Sequence, residues 1–159
     1  VIRVRPYDPD DRTFVLSLSP RLTIGMPAWR DAQKCLIAVQ GWVAESIEQH
    51  GHNTAVFIAI DEQGKRLGFA TITHNTHFTG ERQAYIGELV TDESAEGTGV
   101  GKALLQTCER WARDQGYRII AVATGAGNTN ALDFYHHLGY HNEDVTLIKL
   151  LEEPGSTDE

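Results

Sequence analysis

The stretch Glu96-Gly97-Thr98-Gly99-Val100-Gly101-Lys102 constrains this chain more than any other. Three glycines at alternate positions stand between an apolar strand pattern and a helical one. Glycine accepts positive φ at little steric cost, so successive backbone N–H groups can converge on one point. The helix predicted from about Val100 adds its unpaired N–H groups and the positive end of its dipole. Such a turn is a cradle for a phosphate or diphosphate; it is equally a tight strand-to-helix connection that binds nothing. Spacing excludes two familiar phosphate loops. A Walker loop needs Gly where Glu96 stands, and Ser or Thr where Ala103 follows Lys102. A dinucleotide fingerprint needs a third Gly where Lys102 stands.

The 159 residues suit one domain with a sizeable core, and 41% hydrophobic with 23% charged residues is ordinary for a soluble protein. A net charge of −8, from 14 basic and 22 acidic side chains, argues against nonspecific nucleic-acid binding. No apolar run approaches the ~20 residues that cross a bilayer. The two cysteines, Cys35 and Cys108, sit inside helical patterns as small core residues, which suits a reducing, cytoplasmic compartment. The seven histidines show no zinc-ligand spacing, and no metal is expected.

Val1–Arg5 alternates as a strand closed by Pro6, and Asp8-Pro9-Asp10-Asp11 starts a short helix that stops at Pro20. Residues 21–27 read as a loop. A longer helix is predicted from Ala28 or Trp29 to Gln49, with Cys35, Val39, Trp42, Val43 and Ile47 on its apolar face and a weak point at Gly41. Ala55–Ile60, Leu67–Thr73 and Ala84–Thr91 follow as a meander, joined by turns at 61–65 and 79–82. After the glycine loop, Leu104, Leu105, Cys108, Trp111 and Ala112 mark a helix ending at Gly116. Arg118–Thr124 is predicted as a strand parallel to 84–91, because the crossover is long enough. Asn128–Leu138 is a short helix, Val145–Leu151 a last strand, and 152–159 a disordered acidic tail.

Gly87-Glu88-Leu89-Val90-Thr91-Asp92, the glycine loop through Leu105, Asn128-Thr129-Asn130-Ala131 and Phe134-Tyr135-His136-His137-Leu138-Gly139-Tyr140 occur in one order and spacing. These blocks resemble the GNAT superfamily of acetyl-coenzyme-A-dependent N-acetyltransferases. The resemblance covers roughly residues 84–150. It implies an α/β fold with an antiparallel N-terminal meander, parallel fourth and fifth strands splayed around the cofactor, and flanking helices. It implies acetyl transfer from acetyl-CoA to an amine of a small molecule or protein. The alternative is a non-catalytic acyl-CoA-binding regulatory module of the same fold. An amine acceptor and a second copy of the chain, as a homodimer, are the partners left open; nucleic acid and membrane are not expected.

On that resemblance the backbone from Glu96 through Gly97, Thr98, Gly99, Val100 and Gly101 to Lys102 would hold the diphosphate. Leu89, Val90 and Thr91 would pair with the pantetheine arm as if it were a strand. Asn128 would meet its amides, although Asn128 serves equally as a helix N-cap, and Ala131 and Tyr135 would also contact the cofactor. The family opens the loop with Arg or Gln where this chain has Glu96. A carboxylate there would repel a diphosphate, at a cost that solvent reduces, whereas the backbone cradle does not depend on it. Glu88, an acid in an apolar strand, is the candidate base, directly or through water; its bland reading is a solvated strand-face residue. Tyr135 is the candidate acid for the departing thiolate, or else a core aromatic. Asp92 reads as a turn acid. Residues 21–30, with Met26 and Trp29, would meet the acceptor. His74 and His77 could line its pocket, but read better as exposed turn residues.

Overall fold

The computed structural model describes residues 1–151. The acidic tail expected over 152–159 lies outside the described residues. Five strands form one sheet: β1 (Arg3–Pro6), β2 (Ala55–Ile60), β3 (Arg66–Thr76), β4 (Arg82–Thr91) and β5 (Ile120–Val122). They lie in chain order, antiparallel except for the parallel pair β4–β5. Helices α1 (Arg12–Leu18) and α2 (Ala32–Gln49) cover one face. Helices α3 (Val100–Asp114) and α4 (Thr129–His137) cover the other.

The central strands read as apolar runs because both faces are covered. Neighbouring side chains then go to opposite cores. Ile58 and Phe69 pack with Val15 and Val43; Ala59 and Ala70 pack with Leu104, Leu105 and Cys108. In α3 the buried residues Val100, Leu104, Leu105, Cys108 and Ala112 recur every three or four positions, one face of a helix.

Several boundaries differ from those predicted. Pro20 does not end the first helix; α1 ends at Leu18, and Pro20 lies in the first turn of a 3-10 segment, Ser19–Thr23. Helix α2 starts at Ala32, not near 28, because the Asp31 carboxylate caps the Lys34 N–H at 2.8 Å. It runs through Gly41 as one helix. Its buried stripe is Val39 and Val43, while Trp42 is 54% exposed. Cys108 is buried but Cys35 only half-buried, and both thiols are free. Strand β5 shrinks to three residues because only Ile120–Val122 find partners on β4.

The last strand predicted over Val145–Leu151 does not form. Residues 141–151 carry no regular structure, and Leu147 is 88% exposed. Alternating apolar residues favour a strand only when a neighbouring strand supplies hydrogen bonds and a face to bury. None of the described residues does so here.

Asp11 ties the first strand, the first helical turn and β3 together. Its side chain is 0% exposed and accepts from Arg5 at 2.7 and 2.8 Å, from Arg66 Nε at 2.7 Å and from the Asp8 N–H at 2.8 Å. Burial alone would raise this carboxyl; the hydrogen bonds from Arg5, Arg66 and Asp8 outweigh it and hold it at about 2, below its ordinary 3.8. A depressed carboxylate stabilises the fold above its unfolded pKa, and that contribution fades as pH falls through the folded one. Asp11→Asn is therefore expected to lower unfolding free energy by about 2 kcal/mol at pH 6. In urea titrations the difference from wild type should shrink between pH 3.8 and about 2. A constant difference across that range would show that Asp11 acts by shape and not by charge.

Candidate functional site

The site begins with a register change in β4. Thr71 pairs with Glu88 and Ile72 with Ile86, so Gly87 is an extra, bulged residue. On the other side of β4 the ladder to β5 stops at the Ile86–Val122 pair. Beyond it, β4 continues to Thr91 with no strand on its outer edge among the described residues. Unpaired backbone groups therefore line a slot between β4 and α4. A cavity of about 650 Å³ opens there, walled by Leu89, Val90 and Thr91 of β4, by the glycine loop, and by Asn128, Ala131, Phe134 and Tyr135.

The loop is built as the sequence demands. Gly97 and Gly99 have φ of +75° and +91°, the left-handed region that side chains resist. Gly99 is the N-cap of α3 and no side chain among the described residues caps that helix, so the N–H groups of its first turn are open to a ligand. Gly97, Gly99, Gly101 and Lys102 line the cavity. Two other predicted residues do not. Val100 is buried in the core, and the Thr98 hydroxyl donates to the Ala95 carbonyl. A Cβ on Gly101 would lie 3.3 Å from the Phe134 ring, so this glycine also lets α3 and α4 approach. Uncapped N–H groups, a free strand edge and apolar walls fit coenzyme A, which carries a diphosphate on an amide-bearing arm.

Glu88 and Tyr135 lie on opposite faces of the sheet. Glu88 is 4% exposed on the α2 side, where it accepts hydrogen bonds from the hydroxyls of Thr71 and Ser46, the latter at 3.1 Å. Burial pushes its carboxyl above the ordinary value, against those bonds and with Glu45 adding to the rise. It is thus no solvated strand-face residue, and it does not line the cavity. Half-buried Ser46 is the group between it and the surface of α2. Tyr135 does line the cavity, against Phe134 and Tyr140 at ring separations of 5.1 and 5.6 Å. Burial, with Cys108 nearby, raises its phenol well above the ordinary range, so it stays a proton donor. Its hydroxyl has no hydrogen bond among the described residues. The Asn128 oxygen caps α4 through the Ala131 N–H at 3.2 Å, as its N-cap reading expected, and the same residue lines the cavity. Asp92 is a turn acid, bonded to the N–H and hydroxyl of Ser94.

Glu96 lines the cavity, and its carboxylate pairs with Arg21, from the 3-10 segment after α1. Arg21 and Ile24 fall in the 21–30 segment expected to meet the acceptor and instead line this cavity, while Ser46 and Thr71, which stand in no motif, were not singled out from the sequence. Met26 and Trp29 are exposed and do not line the cavity. Neither do His74, stacked near Tyr117, and His77, 3.7 Å from Glu143.

Residues 24–140 match the acetyltransferase (GNAT) family. A mycothiol acetyltransferase of Pseudarthrobacter chlorophenolicus is 32% identical over 111 residues, 67% of this chain and 33% of that protein. An uncharacterised N-acetyltransferase of Methanocaldococcus jannaschii is 31% identical over 91 residues, 56% of this chain and 40% of its own. The chain thus spans well under half the length of these relatives. Among solved structures, a putative acetyl transferase from Pyrococcus furiosus superposes with a TM-score of 0.75 at 20% identity, covering 95% of this chain and all of that one. AAC(6')-Iy in complex with the bisubstrate analogue CoA-S-monomethyl-acetylneamine superposes at 0.68 and 19%, covering 96% and 99%. The chain belongs to the GNAT acetyltransferase family.

One contact closes the site from the N-terminal side. Gly25, at φ +84°, lies so close to Asn128 that a Cβ would meet it at 2.7 Å. Its carbonyl oxygen would stand 2.9 Å from a Cβ on Gly127. Gly25→Ala is expected to cost about 1–3 kcal/mol in urea unfolding, from backbone strain and the clash. It should also speed proteolysis within residues 21–31. Wild-type stability and an unchanged cleavage pattern would show that this segment does not rest on Asn128.

Proposed function

We propose that this chain is an N-acetyltransferase that moves an acetyl group from acetyl-coenzyme A to an amine. The observation that carries the reading is one cavity holding an uncapped glycine loop, a free strand edge and an unbonded tyrosine hydroxyl. Acetyl-coenzyme A, when bound, supplies the acetyl thioester. The loop's N–H groups hold its diphosphate, and the β4 backbone at Leu89–Thr91 holds its amide arm. Tyr135 donates the proton that a departing thiolate takes up. Glu88, buried and short of the cavity, accepts the amine's proton through Ser46 or water. The exposed 24–30 segment faces the acceptor, a small-molecule or protein amine, and an acidic chain suits a cationic one.

No helix among the described residues is long and apolar enough to cross a membrane. A homodimer is the proposed assembly, supported by the exposed run Val145, Leu147, Leu150 and Leu151. Sedimentation at micromolar concentration should give a dimer mass, and a lone monomer would refute it.

Coenzyme A should raise the melting temperature by mass action, and an amine panel with acetyl-CoA should release free thiol. Tyr135→Phe keeps the ring but removes its proton. It is expected to lower kcat about 100-fold with coenzyme A affinity unchanged. Since burial raises Glu88, the wild-type rate should climb with pH through a pKa above 4.5, and Glu88→Gln should flatten that rise. An unaltered profile removes Glu88 as base. Binding without turnover on any amine would leave an acyl-CoA-binding module in place of an enzyme.

A further inference from the structure

The mouth of the glycine loop has an electrostatic problem. Glu93 and Glu96 stand beside a cradle whose free N–H groups suit an anion, and each carboxylate opposes one. One side chain answers both. The Arg21 guanidinium pairs with Glu96 through Nη2 and lies 3.9 Å from Glu93 through Nη1. It comes from 75 residues away in sequence, is only 24% exposed, and lines the same cavity as Gly97, Gly99 and Gly101.

Arg21 is also held from behind. Its 3-10 segment begins at buried Ser19, whose hydroxyl donates to the Leu16 carbonyl at 2.7 Å. The Thr23 hydroxyl donates to the Pro20 carbonyl at 2.7 Å, and the Ile24 N–H to the Arg21 carbonyl at 3.2 Å. The backbone that carries the guanidinium is therefore pinned while its head remains at the cavity wall. A guanidinium has five donors, and the bond to Glu96 leaves others free.

We propose that Arg21 is the diphosphate-binding cation of this site and that Glu96 holds it at the mouth of the loop. The ligand class is a diphosphate ester, and the inference rests on the coenzyme A reading above. The positive charge missing at the first position of the loop is supplied from the segment between α1 and α2. Glu96 then does not repel the ligand as a bare carboxylate would; it orients the guanidinium that meets the diphosphate.

Calorimetric titration with coenzyme A and with pantetheine, which has the amide arm but no diphosphate, tests this. Arg21→Ala should weaken coenzyme A roughly 10- to 100-fold, the worth of a charge-assisted hydrogen bond, and leave pantetheine unchanged. The salt dependence of coenzyme A binding should fall with it. Arg21→Lys should recover much of the affinity. Glu96→Ala should weaken coenzyme A severalfold and leave pantetheine unchanged, because the guanidinium is no longer held at the loop; tighter coenzyme A binding would show that Glu96 repels the ligand and would overturn its holding role. Melting curves without ligand verify that each variant is folded. Equal losses for coenzyme A and pantetheine would make Arg21 a structural residue and overturn the proposal. Wild-type-like coenzyme A binding by Arg21→Ala would overturn it alone; no binding by the wild type would overturn the coenzyme A reading with it.

Discussion

Strand β4 carries two different edges, and the site depends on where each one changes. Toward β3 it is paired along its whole length, with Gly87 as the extra residue in the ladder. Toward β5 it is paired only over Ala84–Ile86. A parallel ladder that ends after three pairs leaves the outward-facing backbone groups of residues 87–91, those not turned to β3, without strand partners. In a core these would have to be satisfied at once. Here they face a cavity. The same strand then runs directly into the glycine loop, so the free edge and the uncapped helix terminus become one continuous surface.

The bulge also sorts the side chains. A strand with strict alternation would place Ile86, Glu88 and Val90 on one face. With Gly87 added, Ile86 joins the α3 core while Val90 joins the α2 core. Glu88 therefore sits under α2, where Thr71 and Ser46 satisfy it and burial raises its carboxyl. Tyr135 is on the far side, in the α3–α4 layer. The candidate base and acid flank the free edge from opposite faces, which suits an acceptor and a leaving group arriving from opposite sides.

The N-terminal segment contributes more than its sequence suggests. Arg21 neutralises the carboxylate that departs from the family pattern, and Gly25 rests on the residue that caps α4. Both contacts join residues about 75 to 100 positions apart in the chain. They make the cavity a place where three distant segments meet, and they turn Glu96 from an isolated repulsive charge into half of an ion pair.

Much of this was legible in the residues themselves. The glycine loop, the meander, the period of α3 and the capping by Asn128 are local. Backbone freedom, alternation and helical spacing act over a few residues, so sequence determines them. The order of the motif blocks carried the family and pointed to the residues that wall the cavity between β4 and α4. Tertiary structure decided what depends on partners. Val145–Leu151 has the alternation of a strand but no neighbour among the described residues to complete it, and Arg118–Thr124 keeps only the three residues that β4 can pair. Trp42 fits the helical stripe by spacing yet lies outside the narrow contact that Val39 and Val43 make. Arg21 and Ser46 belong to no pattern, because what defines them is a charge and a carboxylate brought to them by packing across the fold. Long-range pairing and burial have no signature within a local window, and that is why these features appear only once the chain is folded.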